Sequence, residues 1–184
     1  MSWRDILILD ARFSDRLRIA EQPGRLRSVA IVLAHSGDSW FCLAGLAMLW
    51  YFGNDFWKTR ALAFSAALIV TAVVVVLLKF TIRRKRPEGE WGGIYRNTDP
   101  HSFPSGHAAR TALFAVLGLI LGPTWFGLVL LFWAPLVALA RVAMGVHYLS
   151  DVLVGLAIGL VMGWVNLGLY WQYGEILVRL TMGV

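Results

Sequence analysis

The sequence predicts an all-α fold: a polytopic transmembrane helical bundle of about five spans, preceded by an amphipathic helix lying in the membrane interface. Three observations predict it. Of the 184 residues, 58% are hydrophobic and only 15% charged, with a mean hydropathy of +0.65, far from ordinary soluble usage. Stretches 61–78, 111–140 and 152–173 are long, apolar and almost free of charge, and about 20 such residues at ~1.5 Å rise cover the ~30 Å hydrocarbon core. Clusters of polar residues sit at the ends of these stretches.

The elements follow in order along one domain, 1–184. In segment 1–27, Asp5, Asp10, Arg12, Asp15, Arg16 and Arg18 interleave with apolar residues, which suits a helix in the interface plane. Its acidic residues and lack of an uninterrupted apolar core exclude a signal peptide. The transmembrane core, 28–173, opens with 29–52, apolar at both ends but interrupted by His35-Ser36-Gly37-Asp38-Ser39. It reads as one kinked span, a short interfacial helix followed by a crossing from about residue 39 to 52, with His35 and Asp38 at a kink or interfacial cap. Stretch 61–78 is the second span. Stretch 111–140 is too long for one crossing and reads as a helical hairpin turning at Gly122-Pro123-Thr124, since Gly-Pro breaks a helix. Stretch 152–173 is the fifth span and 174–184 a C-terminal tail. The single cysteine, Cys42, lies in an apolar run; it cannot form an internal disulfide and reads as a small buried hydrophobe.

The net charge of +6 comes from basic residues flanking the spans, which fits a bilayer with anionic lipids and not nucleic acid. One side of the five-span topology collects Arg4, Arg12, Arg16, Arg18, Arg25, Arg27, Lys79, Arg83, Arg84, Lys85, Arg86, Arg96, Arg110 and Arg141, against Lys58, Arg60 and Arg179 on the other. The excess of Lys and Arg puts the first side in the cytoplasm of a cell-membrane protein, and Trp50, Tyr51, Trp57, Trp125, Tyr170, Trp171 and Tyr173 form an aromatic belt at the opposite interface. Gly155, Gly159 and Gly163, spaced by four, permit close packing within the bundle or across a homodimer.

Alternating spans bring three polar segments to one face: 79–87, running from Lys79 to Arg86-Pro87; 102–107, ending in Pro104-Ser105-Gly106-His107; and 141–151, holding Arg141, His147 and Asp151. Ionisable residues at membrane depth are costly unless they serve a site. Lys79, Arg86 and Arg141 around a helix start describe an anion pocket: free amides at a helix N-terminus suit phosphate oxygens, Gly106 lets the backbone approach, and the arginines grip bidentately where Lys79 is a point charge. His147 and Asp151, four apart, would share a helix face, so the carboxylate can hold one ring nitrogen while the other attacks phosphorus. His107 is the natural general acid for the leaving oxygen. Arg83, Arg84 and Lys85 read as a topology and lipid-surface anchor. His101 reads as a polar loop residue, and Arg110 as a partner of Asp99, Glu90 or a head group.

Lys79-x6-Arg86-Pro87, Pro104-Ser105-Gly106-His107 and Arg141-x5-His147-x3-Asp151 resemble, in order, spacing and span placement, the three signature motifs of the type 2 phosphatidic acid phosphatase superfamily. The resemblance brackets residues 79–151. It implies the core bundle of that family and metal-independent, cofactor-free hydrolysis of a lipid phosphate through a phosphohistidine: His147 as nucleophile, Asp151 orienting it, His107 as acid, and Lys79, Arg86, Ser105, Gly106 and Arg141 holding the phosphate. Ala140 stands where the family often has Ser, and the chain lacks the first of the six spans many relatives have. The substrates implied are polyprenyl phosphates or diphosphates, phosphatidate or phosphatidylglycerophosphate; the alternatives are a polyprenyl-phosphoryl sugar phosphate at the cytoplasmic face, or non-catalytic binding or transport of lipid phosphates. Small actinobacterial relatives acting on decaprenyl-phosphoryl phosphoribose are similar in build, although no residue here identifies that substrate. A voltage sensor is excluded because the arginines cluster at a span end, and the related soluble haloperoxidases by composition.

Overall fold

A computed structural model of the chain describes residues 2–89, 91 and 99–182; Glu90 and Arg96 lie outside the described residues. Seven helices are present among them: α1 Trp3–Arg16, α2 Arg25–Ser36, α3 Ser39–Phe52, α4 Asp55–Ile82, α5 Gly106–Leu121, α6 Thr124–Ala143 and α7 Leu149–Met182. Three are long and apolar enough to cross a membrane, α4, α6 and residues Leu149–Gly174 of α7, while α2 and α3 form one pair bent by 63°. The bend sits at Gly37 and Asp38, where the sequence places its kink.

The hairpin turns at the expected residues: α5 ends at Leu121 with Gly122 as its C-cap, and Pro123 caps α6. α5 itself has 16 residues, about 24 Å of helix, short of a full crossing. It is the buried centre of the bundle, wrapped by α4, α6 and α7, with Ala108, Ala109, Leu113 and Leu117 almost inaccessible. The N-terminal end of this short central helix carries Ser105, Gly106 and His107. Within the 174–184 tail, α7 continues as helix to Met182.

The glycine stripe on α7 is used inside the bundle. A methyl group on Gly155 would fall 2.6 Å from the Ser105 carbonyl, one on Gly159 2.7 Å from Ala112 Cβ, and one on Gly163 2.6 Å from Val116 Cβ. All three glycines therefore let α7 approach α5 closely, the packing that substitutes for hydrophobic drive in lipid, and they leave no stripe for a second copy. Outward-facing Ile69, Val73, Leu77, Phe132, Leu153 and Val161 are exposed, the inverse of a soluble surface and appropriate to hydrocarbon.

At the face opposite the polar segments, Asn54 caps α4 by accepting from the Trp57 amide. Arg60 donates to the Leu121 carbonyl at 2.9 Å, satisfying an orphan acceptor at the end of α5. The Trp57 and Trp125 ring centroids lie 6.4 Å apart there.

α1 is amphipathic, with Ile6, Leu9, Phe13 and Leu17 exposed along one stripe. Its polar side docks on the start of α7. Ser14 Oγ accepts from the Leu149 amide at 2.8 Å, and Asp10 accepts from the Ser150 amide at 3.0 Å and from its hydroxyl at 2.5 Å. Side chains from a distant helix thus satisfy the first amides of α7, the groups a helix start leaves without partners.

Candidate active site

The predicted site residues stand at helix ends or in the segments that join them, and these meet at one face. Lys79 lies in the last turn of α4, which stops at Arg83 in a left-handed conformation, φ 54°; Arg86 follows in the connecting segment. Ser105 is the N-cap of α5, accepting from the Ala108 amide, and Gly106 and His107 open that helix. Arg141 is in the last turn of α6. The chain then reverses through Gly145, whose φ of 66° favours glycine, and reaches His147 just before α7, with Asp151 in its first turn. The third motif is therefore a helix end, a turn and a helix start. His147 precedes the helix, which corrects the expectation that it shares a helical face with Asp151.

Lys79, Arg86, Ser105, Arg141, His147 and Asp151 are all buried. Arg86 donates from Nη1 to the Val146 carbonyl at 2.8 Å and approaches His147 Nε2 to 3.2 Å. A guanidinium only donates, so Nε2 carries the lone pair and Nδ1 the proton. Nδ1 lies 3.5 Å from Asp151 Oδ2, and makes no hydrogen bond among the described residues. Asp151 does hold the loop: the same oxygen accepts from the Tyr148 amide at 2.9 Å. Burial first, then the charges of Arg141, Arg86 and Lys79, lower the proton affinity of His147 well below that of a free imidazole, as both effects disfavour the imidazolium. A neutral imidazole with a lone pair among three cations is suited to attack an anionic phosphorus centre, because the anion neutralises the cations.

His147 and Lys79 line a cavity of about 360 Å³ with Gly106, His107, Arg110 and Asp99. Its other wall is Leu68, Thr71, Ala72, Val75 and Val76 of α4. A charged floor and an apolar side wall match an amphiphile whose phosphate enters first. A second cavity, about 320 Å³, flanks His147 on the α1 side between Arg12, Arg18, Glu88 and Tyr148. Among the described residues no group of three or more His, Cys, Asp or Glu side chains is arranged to hold a metal ion.

Several residues join the site for which sequence reasoning had another use. Asp99 Oδ2 accepts from Lys79 Nζ at 2.6 Å and from Arg86 Nη2 at 2.8 Å; its carboxylate sits between the two cations. Arg84 is not a lipid anchor: Nη1 donates to Asp151 Oδ1 at 2.7 Å and to Ser150 Oγ at 2.6 Å, and Nη2 to Asp10 at 2.7 Å. Arg83, in contrast, turns back onto the Phe80 carbonyl. Arg110 bonds the Gly37 carbonyl and Ser39 Oγ, and His101 contributes its carbonyl to Lys79. No periodicity marks Asp99 or Arg84; only the folded connection between α4 and α5 identifies their partners.

A model of the PAP2 superfamily matches residues 60–175. The decaprenylphosphoryl-5-phosphoribose phosphatase of Mycobacterium tuberculosis is 34% identical over 148 residues, covering 79% of this chain and 80% of that protein. Among solved structures, Aquifex aeolicus LpxE is 25% identical with a TM-score of 0.64 over 82% of this chain and 90% of that one. The PAP2-type phosphatidylglycerolphosphate phosphatase of Bacillus subtilis has the same fold, with 23% identity and a TM-score of 0.73 over 91% of this chain and 87% of that one.

Proposed function

The chain belongs to the PAP2 superfamily, and from that premise we propose that it is a metal-independent membrane lipid phosphatase working through a phosphohistidine on His147. The observation that carries the proposal is the state of His147: buried, its Nε2 lone pair 3.2 Å from Arg86, in the wall of a cavity with a cationic floor. In the first half-reaction Nε2 attacks phosphorus and the bond to the leaving oxygen breaks, while His107 delivers a proton to that oxygen. Lys79, Arg86 and Arg141 with the Ser105–Gly106 helix start spread the charge of the transferring phosphoryl group, the main catalytic contribution in such chemistry. Water then attacks the phosphohistidine and inorganic phosphate leaves. Asp151 keeps the His147 loop in place through the Tyr148 amide.

The substrate class is an amphiphile bearing a terminal phosphate or diphosphate. The apolar α4 wall of the cavity supports a lipid tail, and the 34% identity to an enzyme named for decaprenylphosphoryl-5-phosphoribose favours a polyprenyl-phosphoryl sugar phosphate. The docking of α1 on the start of α7 brings the N-terminal arginines, Arg12 and Arg16 among them, to the active-site end, which supports a site at the cytoplasmic face. The test is phosphate release by detergent-purified protein in EDTA, from polyprenyl-phosphoryl sugar phosphate, polyprenyl diphosphate, phosphatidate and phosphatidylglycerophosphate, with His147→Ala alongside. Release that survives EDTA and is abolished in the variant is expected. Equal release by the variant, or none from wild type, would refute the proposal and leave a binding or transport role.

A further inference from the structure

Asp38 stands at the N-cap of α3, yet its side chain makes no capping hydrogen bond. It turns to α5: Oδ1 lies 2.6 Å from His107 Nε2, while Oδ2 lies 3.0 Å from His35 Nδ1. An Asp at an N-cap normally accepts from the helix amides, so the carboxylate has given up that role for two imidazoles. The bend is built to hold it there. Arg110, one turn after His107 on α5, donates to the Gly37 carbonyl and to Ser39 Oγ, gripping the chain on both sides of Asp38. Gly37 has no room for a side chain, since a methyl group there would fall 2.9 Å from Val137 Cγ1 and 3.3 Å from His107 Cδ2. The three side chains are not a metal cage: the two rings engage different oxygens of the carboxylate, and no group among the described residues is arranged to hold an ion.

We infer that Asp38, delivered by the α2–α3 bend, is the positioning residue of the general acid, fixing through Nε2 the tautomer and orientation in which His107 presents Nδ1 to the leaving oxygen. The inference rests on the phosphatase reading above. A carboxylate only accepts, so His107 Nε2 carries a hydrogen directed at Asp38. The acid proton must then sit on Nδ1, the nitrogen that makes no hydrogen bond among the described residues, in a ring that lines the substrate cavity. The Asp38 carboxylate, 2.6 Å from Nε2, faces this ring directly, and an opposite charge at that distance favours the imidazolium. As the phosphorus–oxygen bond breaks, the Nδ1 proton passes to the leaving alkoxide and His107 becomes neutral, its Nε2–H still on Asp38. When water attacks the phosphohistidine, Nδ1 takes the water's proton, the phosphorus–nitrogen bond to His147 breaks, and the starting state returns. The protein thus carries two His–Asp pairs, one at the nucleophile and one at the acid. Asp38 lies outside the matched family segment, which begins at residue 60, and His107 lies within it.

The test separates acid catalysis from support of the fold by varying the leaving group. An alkyl leaving group needs the proton and 4-nitrophenolate does not. General acid catalysis contributes about 10²–10⁴-fold, so Asp38→Asn is expected to lower kcat on a polyprenyl phosphate by about 100-fold or more. On 4-nitrophenyl phosphate its kcat/KM, which covers only the steps up to departure of the leaving group, is expected to stay within threefold of wild type. Because Asp38 acts through His107, Asp38→Asn should cost nothing further in a His107→Gln background, the non-additivity of residues acting as a unit. Equal losses on both substrates, or a full additional loss in the His107→Gln background, would overturn the inference. Imidazole ¹⁵N NMR of the wild-type protein gives a reading that needs neither turnover nor a folded variant. His107 Nε2 is expected to remain protonated in both charge states, with Nδ1 as the nitrogen that titrates; an unprotonated Nε2 would overturn the inference. No release by wild type, or release unchanged in His147→Ala, would instead sink the phosphatase reading, and the NMR result would still decide the pairing.

Discussion

A methyl group added at Gly106 separates phosphate binding from folding. Gly106 lines the active-site cavity and opens α5 with helical backbone geometry, so alanine meets no conformational penalty. Among the described residues the nearest atom to its added Cβ is Val75 Cγ1 at 3.6 Å, an ordinary contact. The methyl therefore enters the cavity, where it stands between an incoming phosphate oxygen and the helix-start amide. Losing one hydrogen bond to a charged group costs about 1.5–3 kcal/mol, and at about 1.4 kcal/mol per factor of ten kcat/KM is expected to fall about 10- to 150-fold. Alanine in place of glycine stabilises a helix by up to about 1 kcal/mol, so the melting temperature in detergent should hold or rise. The assays are phosphate release over a range of substrate concentration and thermal unfolding of the same preparation. A kcat/KM within threefold of wild type would refute the placing of phosphate at the start of α5, and a lowered melting temperature would refute the claim that the site is open.

The same substitution elsewhere on the bundle has the opposite signature. Gly159→Ala drives a methyl to 2.7 Å from Ala112 Cβ, and overpacking of this kind costs about 1–3 kcal/mol, so a lower melting temperature is expected; an unchanged one would contradict the close α5–α7 approach. Arg84→Gln removes a charged partner of the fully buried Asp151 at 2.7 Å. With the Tyr148 amide still bonded, the loss should fall at or below the 3–5 kcal/mol scale of breaking a buried pair, seen as reduced thermal stability together with reduced kcat; unaltered values of both would return Arg84 to the surface-anchor role. Asp99→Asn takes away a carboxylate that competes with phosphate for Lys79 and Arg86, and the inhibition constant for inorganic phosphate should fall severalfold, against no change or a rise if Asp99 only braces the loop. His147, its proton affinity lowered by burial and by Arg141, Arg86 and Lys79, should remain neutral as pH falls through the ~6.5 of a free imidazole and gain its proton only below that. Titration of its ¹⁵N imidazole signals at or above that value would show that the cations do not act on it.

Composition alone settled the solvent of this chain, because 58% hydrophobic residues in long uncharged runs have no stable place but lipid. Run length and the Gly122-Pro123 break then placed the apolar helices, although three of them, or four with the bent pair, are long enough to cross where five spans were expected, and their alternation brings Lys79, Arg86, Ser105–His107, Arg141, His147 and Asp151 to one face. These are properties of local sequence, since span length and helix breaking depend on the residues at hand. What the sequence left open depends on contacts between distant segments. Arg84 and Arg83 are adjacent and chemically identical, yet one pairs with buried Asp151 and the other folds onto its own helix end. Asp38 looks like a helix cap in sequence and reaches His107, 69 residues away, in space. Asp10, read as a polar residue of an interfacial helix, joins Ser14 in capping α7. The Gly155–Gly163 stripe was compatible with a bundle or a dimer until α5 was found filling it. In each case several partners satisfied the local chemistry equally, and only the packing of a short central helix against its neighbours selected one.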